Sequence, residues 1–92
     1  MYGTIRRYKL SKPKEFNEKV NASFINLIRK VPGFISYIAI DEGDGYWASL
    51  SLFENRDGIV QSDKVAAEWV KSNATGFVDG PPEITEGPVV VK

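Results

Sequence analysis

Histidine and cysteine are both absent from this 92-residue chain, and methionine occurs once. Without His, the side chain that most often serves as general base near neutral pH and most often ligates metals is missing. Without Cys there is no thiolate nucleophile, no thiolate metal site and no disulfide to add stability. Neither sign of charge is in excess, since 12 basic residues face 12 acidic ones. A binder of nucleic acid needs a basic surplus to release counterions from phosphates, so no nucleic-acid partner is expected. No run approaches the ~20 apolar residues of a membrane-spanning helix, and no membrane contact is expected. Arg6 and Arg7 are not followed by the apolar core of a signal peptide, which leaves a cytoplasmic location as the default expectation.

The length fits a single domain over residues 1–92. A chain this short buries only about two-thirds of its unfolded surface, and oligomerisation is the remaining common source of stability. What the sequence does contain is one unit written twice: strand, helix, strand over Tyr2 to Asp41, and again over Tyr46 to Val91. The doubled unit predicts an α+β, ferredoxin-like βαββαβ domain, an antiparallel sheet with two helices on one face.

The first strand, Tyr2 to Leu10, alternates Tyr2, Thr4, Arg6 and Tyr8 on one face with Gly3, Ile5, Arg7 and Lys9 on the other. Ser11 is expected to cap the first helix and Pro13 to sit in its first turn. Phe16, Val20, Phe24, Leu27, Ile28 and Val31 form its apolar stripe, and Pro32-Gly33 ends it. The second strand (Phe34 to Asp41) and third (Tyr46 to Glu54) read as a hairpin across Glu42-Gly43-Asp44-Gly45. Asn55 or Asp57 is available to cap a second helix ending near Ser72, with Ile59, Ala66 and Val70 on one stripe, Asp63 interrupting it, and Val65 with Trp69 alongside. Glu83 to Val91 is the last strand, and Gly87-Pro88 within it indicates an edge or a bulge. In the third strand Ala48, Leu50 and Leu52 face one way and Trp47, Ser49, Ser51 and Phe53 the other, with no charge on either side. The second strand is also apolar on both sides. A half-solvated sheet would alternate, so helices are expected to cover one face and a second protomer the other, giving a homodimer.

Several stretches resemble the antibiotic biosynthesis monooxygenase-like family of small dimeric α+β barrel proteins. The residues carrying the likeness are Val31-Pro32-Gly33-Phe34, the strand Trp47 to Glu54 running into Asn55-Arg56-Asp57, Trp69-Val70, and the tail from Pro82 to Val91. The likeness spans nearly the whole chain and is nearest to short bacterial members of unassigned activity. The resemblance implies two ferredoxin-like sheets closing into a barrel across a dimer, with a ligand cavity between each sheet and its helices. Some members oxidise polycyclic phenols with molecular oxygen and no cofactor. Others bind and degrade haem through a His on the second helix, a residue this chain lacks. The quinone-forming branch uses an Asn, a Trp and a Tyr. Trp69 lies in the comparable helix, but Val65 and Thr75 do not supply the other two, so the catalytic residues stay unassigned and no cofactor or metal is expected.

The ligand-binding candidates are Arg6, Tyr8, Tyr37, Asp63 and Trp69. Trp69 could stack on a flat aromatic ligand or close the helix against the sheet. Trp47, at the start of a central strand, is expected in dimer packing. Tyr8 and Tyr37 could donate to a substrate carbonyl, or tuck their rings into the core. Arg6 is costly to bury mid-strand without a partner, and Asp63 is the natural one; an Arg7–Glu pair is the alternative use of charge on this strand. Ser49 and Ser51 lack a His base and are not credible nucleophiles. The acidic turn Asp41-Glu42-Gly43-Asp44 lacks the full ligand spacing of a calcium loop. Two functions fit: a cofactor-independent monooxygenase-like enzyme that holds the anion of an aromatic or phenolic small molecule in a dry pocket, and a non-catalytic homodimer that binds a metabolite or another protein. A roomy cavity with an unpaired Arg6 favours the first; a cavity filled by Phe24, Trp69 and Tyr37 favours the second.

Overall fold

The computed structural model describes residues 1–92. Its elements are β1 (Tyr2–Lys9), α1 (Pro13–Lys19), a π-helical segment (Val20–Phe24), α2 (Ile25–Ile28), β2 (Phe34–Gly43), β3 (Tyr46–Phe53), α3 (Arg56–Asn73) and β4 (Glu83–Pro88). The four strands form one antiparallel sheet in the order β2-β3-β1-β4, so β1 is central as expected. This is the ferredoxin-like βαββαβ arrangement, with the helices on one face.

The alternation read from the sequence sets the two faces. Thr4, Arg6 and Tyr8 of β1 and Trp47, Ser49, Ser51 and Phe53 of β3 are all buried beneath the helices. The opposite face carries Ile5, Ile38 and Ile40, exposed by 44%, 61% and 61%, around half-buried Leu50 and Leu52. The core is largely aromatic. Phe16 meets Trp47 edge-on at 4.8 Å between ring centroids, and Phe24 packs on Trp69 at 5.3 Å and on Tyr37 at 5.6 Å. Such tilted and edge contacts suit the ring quadrupoles.

Phe16, Val20, Phe24 and Ile28 are all buried, each four residues from the last. A regular α-helix turns ~40° too far at each such step, so a strict four-residue stripe would wind off the sheet. The wider π-helical turn over Val20–Phe24 absorbs that drift and keeps all of them facing the core.

Three local expectations are corrected. Ser11 does not cap α1: the cap position is Lys12, with no side-chain hydrogen bond, and Ser11 Oγ instead donates to the carbonyls of Gly76 and Phe77 at 3.4 Å. Trp47 is not on the outer face. It is 3% exposed among the core aromatics, because Tyr46 rather than Trp47 takes the outward position opposite Lys9, and its Nε1 donates to Asn17 Oδ1 at 2.6 Å. On α3 the buried stripe runs through Gly58, Ile59, Ser62, Ala66 and Trp69, with Trp69 rather than Val70 fully covered.

Other signals act as read. Pro13 lies in the first turn of α1, and Asn55 Oδ1 accepts from the Gly58 amide at 3.3 Å to cap α3. Gly33 ends the first helical layer at φ +83, a left-handed conformation that favours glycine, and its carbonyl accepts from the Glu54 amide at 2.8 Å. Gly58 lets α3 lie directly on Phe53, since a Cβ there would fall 2.7 Å from that ring. No helix is long and apolar enough to cross a membrane.

Candidate functional site

Arg6 sits in the middle of central strand β1, pointing at α3, and is 2% exposed. Its Nη2 donates to Ser62 Oγ at 3.0 Å and to Asp63 Oδ1 at 2.5 Å. The anticipated Arg6–Asp63 pair therefore forms, about two turns into α3, where Asp63 breaks the apolar stripe. Ser62 in turn donates to the Ile59 carbonyl at 2.8 Å, which fixes its lone pair toward the guanidinium. Arg7 points the other way and pairs with Glu42 and Glu83 at 2.9 and 3.4 Å on the outer face. Both proposed uses of charge on β1 are realised, on opposite faces.

The Arg6 guanidinium spends only one corner. Nε and Nη1 make no hydrogen bond to any group of the protein. Ser51 Oγ is the one fully enclosed side-chain polar atom without a partner, so the unspent edge of Arg6 is not sealed in. It borders two spaces. The first is the cleft between the sheet and both helices, walled by Phe16, Phe24, Tyr37, Trp47 and Trp69, where the rings leave room for only about 10 Å³. The second is an alcove of about 250 Å³ between α3 and the stretch leading into β4, walled by Ala67, Val78, Pro81, Pro82 and Ile84, with Asp63 beside Arg6. Arg6, Tyr8, Ala66 and Val70 line both, so the two spaces meet at Arg6.

The two tyrosines and Trp69 take definite roles around this point. Burial pushes the Tyr37 hydroxyl well above its ordinary value, and burial does the same to Tyr8, with Arg6 pulling down and Asp63 pushing up. Both are hydrogen-bond donors rather than bases at neutral pH. Trp69 Nε1 donates to Ser23 Oγ at 2.8 Å, which ties α3 to the π-helical segment and turns the indole face onto Phe24. The structure thus brings Arg6, Tyr8, Tyr37 and Trp69 to one lining and places Asp63 at the mouth of the adjoining alcove.

Sequence reasoning missed Glu86. It lies opposite Thr4 in the β1–β4 register and accepts from Thr4 Oγ1 at 3.2 Å. Partial desolvation first, then the hydrogen bond and charge of Asp63, push its carboxyl above the usual carboxylate value. No group of three or more His, Cys, Asp or Glu side chains is placed to hold a metal ion.

No family model matches the chain, and no curated protein matches it. Solved structures do. A candidate antibiotic biosynthesis monooxygenase from Nitrosomonas europaea is 15% identical with a TM-score of 0.79, over 99% of this chain and 100% of that one. SnoaB, a cofactor-independent oxygenase from Streptomyces nogalater, is 14% identical with a TM-score of 0.76, over 99% and 94% of the two chains. A monooxygenase from the gene ActVA-Orf6 of Streptomyces coelicolor, solved with the ligand nanaomycin D, is 17% identical with a TM-score of 0.74, over 99% and 92%. At these identities the likeness is one of architecture, and the chain has the ferredoxin-like fold of the antibiotic biosynthesis monooxygenase-like proteins.

Proposed function

We propose that the protein is a homodimeric, monooxygenase-like enzyme that takes an aromatic, phenol-bearing small molecule and works without a bound cofactor. The observation that carries this reading is the unspent edge of Arg6. A guanidinium 2% exposed, with Nε and Nη1 free and open to an apolar alcove of about 250 Å³, is a ready donor to a phenolate or a quinone carbonyl. In a dry site such donors stabilise developing negative charge far better than water-exposed ones. The fold shared with SnoaB and the ActVA-Orf6 monooxygenase supports the same chemistry. An electron-rich phenolate can itself reduce oxygen, and the protein then needs to hold the anion and exclude water.

The outer sheet face supports homodimerisation. Ile5, Ile38, Ile40, Leu50 and Leu52 form an apolar field on it, and Arg7, Glu42 and Glu83 supply a rim of both charges. A mixed rim of this kind can match a second copy of itself across a two-fold axis.

Two observations favour a second reading, a non-catalytic homodimer that binds a metabolite or another protein: Arg6 is paired with Asp63, and the cavity is not roomy. The aromatic cleft is filled, and no ring can enter it unless Phe24 and Trp69 move apart. Oxygen uptake separates the two. The enzyme reading expects oxygen consumption stoichiometric with quinone formation when a polyhydroxylated anthrone is supplied. Saturable binding with no oxygen uptake would establish the second reading instead.

A further inference from the structure

Two indoles tie the first helical layer down. Trp47 Nε1 donates to Asn17 Oδ1 of α1 at 2.6 Å, and Trp69 Nε1 of α3 donates to Ser23 Oγ of the π-helical segment at 2.8 Å. Ser23 Oγ also donates to the Lys19 carbonyl, one turn back, at 3.3 Å. A single hydroxyl therefore joins the winding of the first helix to α3. A serine bonded back in this way weakens regular helix, and wide π-helical turns recur at working sites.

The side chain next to Ser23 is Phe24. It is buried, packs on Trp69 at 5.3 Å and on Tyr37 at 5.6 Å, and so fills the aromatic cleft. A groove of about 430 Å³ adjoins that cleft between the first helical layer and β2, with Asn21, Ile25 and Ile38 in its walls. Val20, Tyr37 and Trp47 line the cleft and the groove alike. A displaced Phe24 ring thus has adjoining space to enter while the helix stays on the sheet.

We propose that the hydrogen bond between Ser23 and Trp69 is a latch on the aromatic cleft. While it holds, Phe24 stays on Trp69 and a ligand has only the alcove beside Arg6. When it opens, Phe24 swings toward the groove and the indole face is freed. The cleft then joins the alcove at Arg6 and admits a further ring. The inference rests on the aromatic-ligand reading above. Ser23 acts through Trp69 and Phe24, so it is a positioning residue. A multi-ring ligand binds the open form, and its apparent affinity is reduced by the closed fraction. Weakening the closed form therefore tightens binding.

The test measures the affinity of 1,2-dihydroxyanthraquinone, followed by the dye's own absorption, on the wild type and three variants. Ser23 is half-buried in a helix, where alanine is well tolerated. Ser23→Ala leaves the indole N–H without a partner in the closed form, whereas water receives it in the open one. The dye should bind about fivefold tighter to Ser23→Ala than to the wild type, the change in opening given by loss of a hydrogen bond of ordinary strength. Ser23→Thr keeps the hydroxyl and should return the wild-type affinity. Asn21→Ala removes a bond within the same helix, to the Asn17 carbonyl at 3.0 Å, and should leave the affinity unchanged. Ser23→Ala should also melt lower than the wild type. A merely structural contact would lower the melting point and the affinity together. Equal or weaker binding to Ser23→Ala overturns the latch while leaving the ligand reading in place, as does tighter binding that Asn21→Ala matches or Ser23→Thr fails to reverse. No binding of the dye to the wild type or to Ser23→Ala overturns the ligand reading, and the inference with it.

Discussion

A guanidinium in the middle of a sheet is expensive to desolvate, and Ser62 and Asp63 offset that cost on one corner of Arg6. Removing one partner leaves the other with an uncompensated charge. Arg6→Met and Asp63→Asn should therefore each lower stability, by about 2–4 kcal/mol for the first and less for the second, because Asp63 retains some solvent contact. The double variant should be less destabilised than the sum, and thermal melts of all three check it. Additive losses would mean that the pair contributes no coupling. Glu86 gives a second test at this scale. Its folded-state value is raised above the ordinary 4.5, so its contribution to stability is present below that value and is lost as pH rises through the folded value. Glu86→Gln should melt higher than the wild type at pH 7, and the gap should close below about pH 4.5. The Arg6–Asp63 pair was legible in the sequence because a lone carboxylate interrupted an apolar helical stripe. Glu86 was not, because only the β1–β4 register brings it opposite Thr4, and no pattern within β4 states that register.

At the scale of elements, the strands were legible from period-two alternation, and their inward faces are those the alternation gave. The first helix was legible in extent but not in its winding. Phe16, Val20, Phe24 and Ile28 recur every four residues, which regular α-helix cannot keep on one line, and the π-helical segment over Val20–Phe24 resolves the mismatch. Deleting exposed Ala22 should remove the wide turn and restore regular helix. Phe24 and Ile28, 4% and 0% exposed, would then rotate away from the sheet. Losing two such side chains from the core costs several kcal/mol, a large share of the stability of a small domain. The deletion should abolish cooperative melting or lower its midpoint by tens of degrees, as circular dichroism would record; an unchanged midpoint would show that the wide turn carries no packing role. Trp47 was assigned to dimer packing, although the alternation set it beside Ser49, Ser51 and Phe53; that shared face is the one beneath the helices, and Tyr46 takes the outward position opposite Lys9. Ser11 was drawn from capping by the Gly76–Phe77 backbone, a contact distant in sequence.

For the whole molecule, an antiparallel sheet covered by helices on one side leaves the other side to be explained. Its isoleucines at 5, 38 and 40 are more exposed than a stable monomer of this size ordinarily tolerates in one patch. Light scattering at micromolar concentration should give twice the chain mass, and Ile38→Asp, which places a charge in the field beside Leu50, should give the chain mass alone. A monomeric wild type would contradict the dimer. The sheet order and the shared helical face were legible because a doubled strand-helix-strand unit has few ways to fold. The closure of the aromatic cleft was not, because it depends on how far each ring reaches across the layer.

Arg6→Lys isolates the feature on which the proposed ligand site depends. Lysine keeps a positive charge facing Asp63 but presents no second edge, so it removes the free Nε and Nη1 while sparing the internal pair. Titration with 1,2-dihydroxyanthraquinone, followed by quenching of Trp69 and Trp47 fluorescence, should saturate at one dye per protomer on the wild type. On Arg6→Lys the affinity should fall at least about tenfold, the loss expected for a charge-assisted hydrogen bond to a buried anion. Equal affinity of the two proteins would contradict the assignment of Arg6 as the group that receives the ligand.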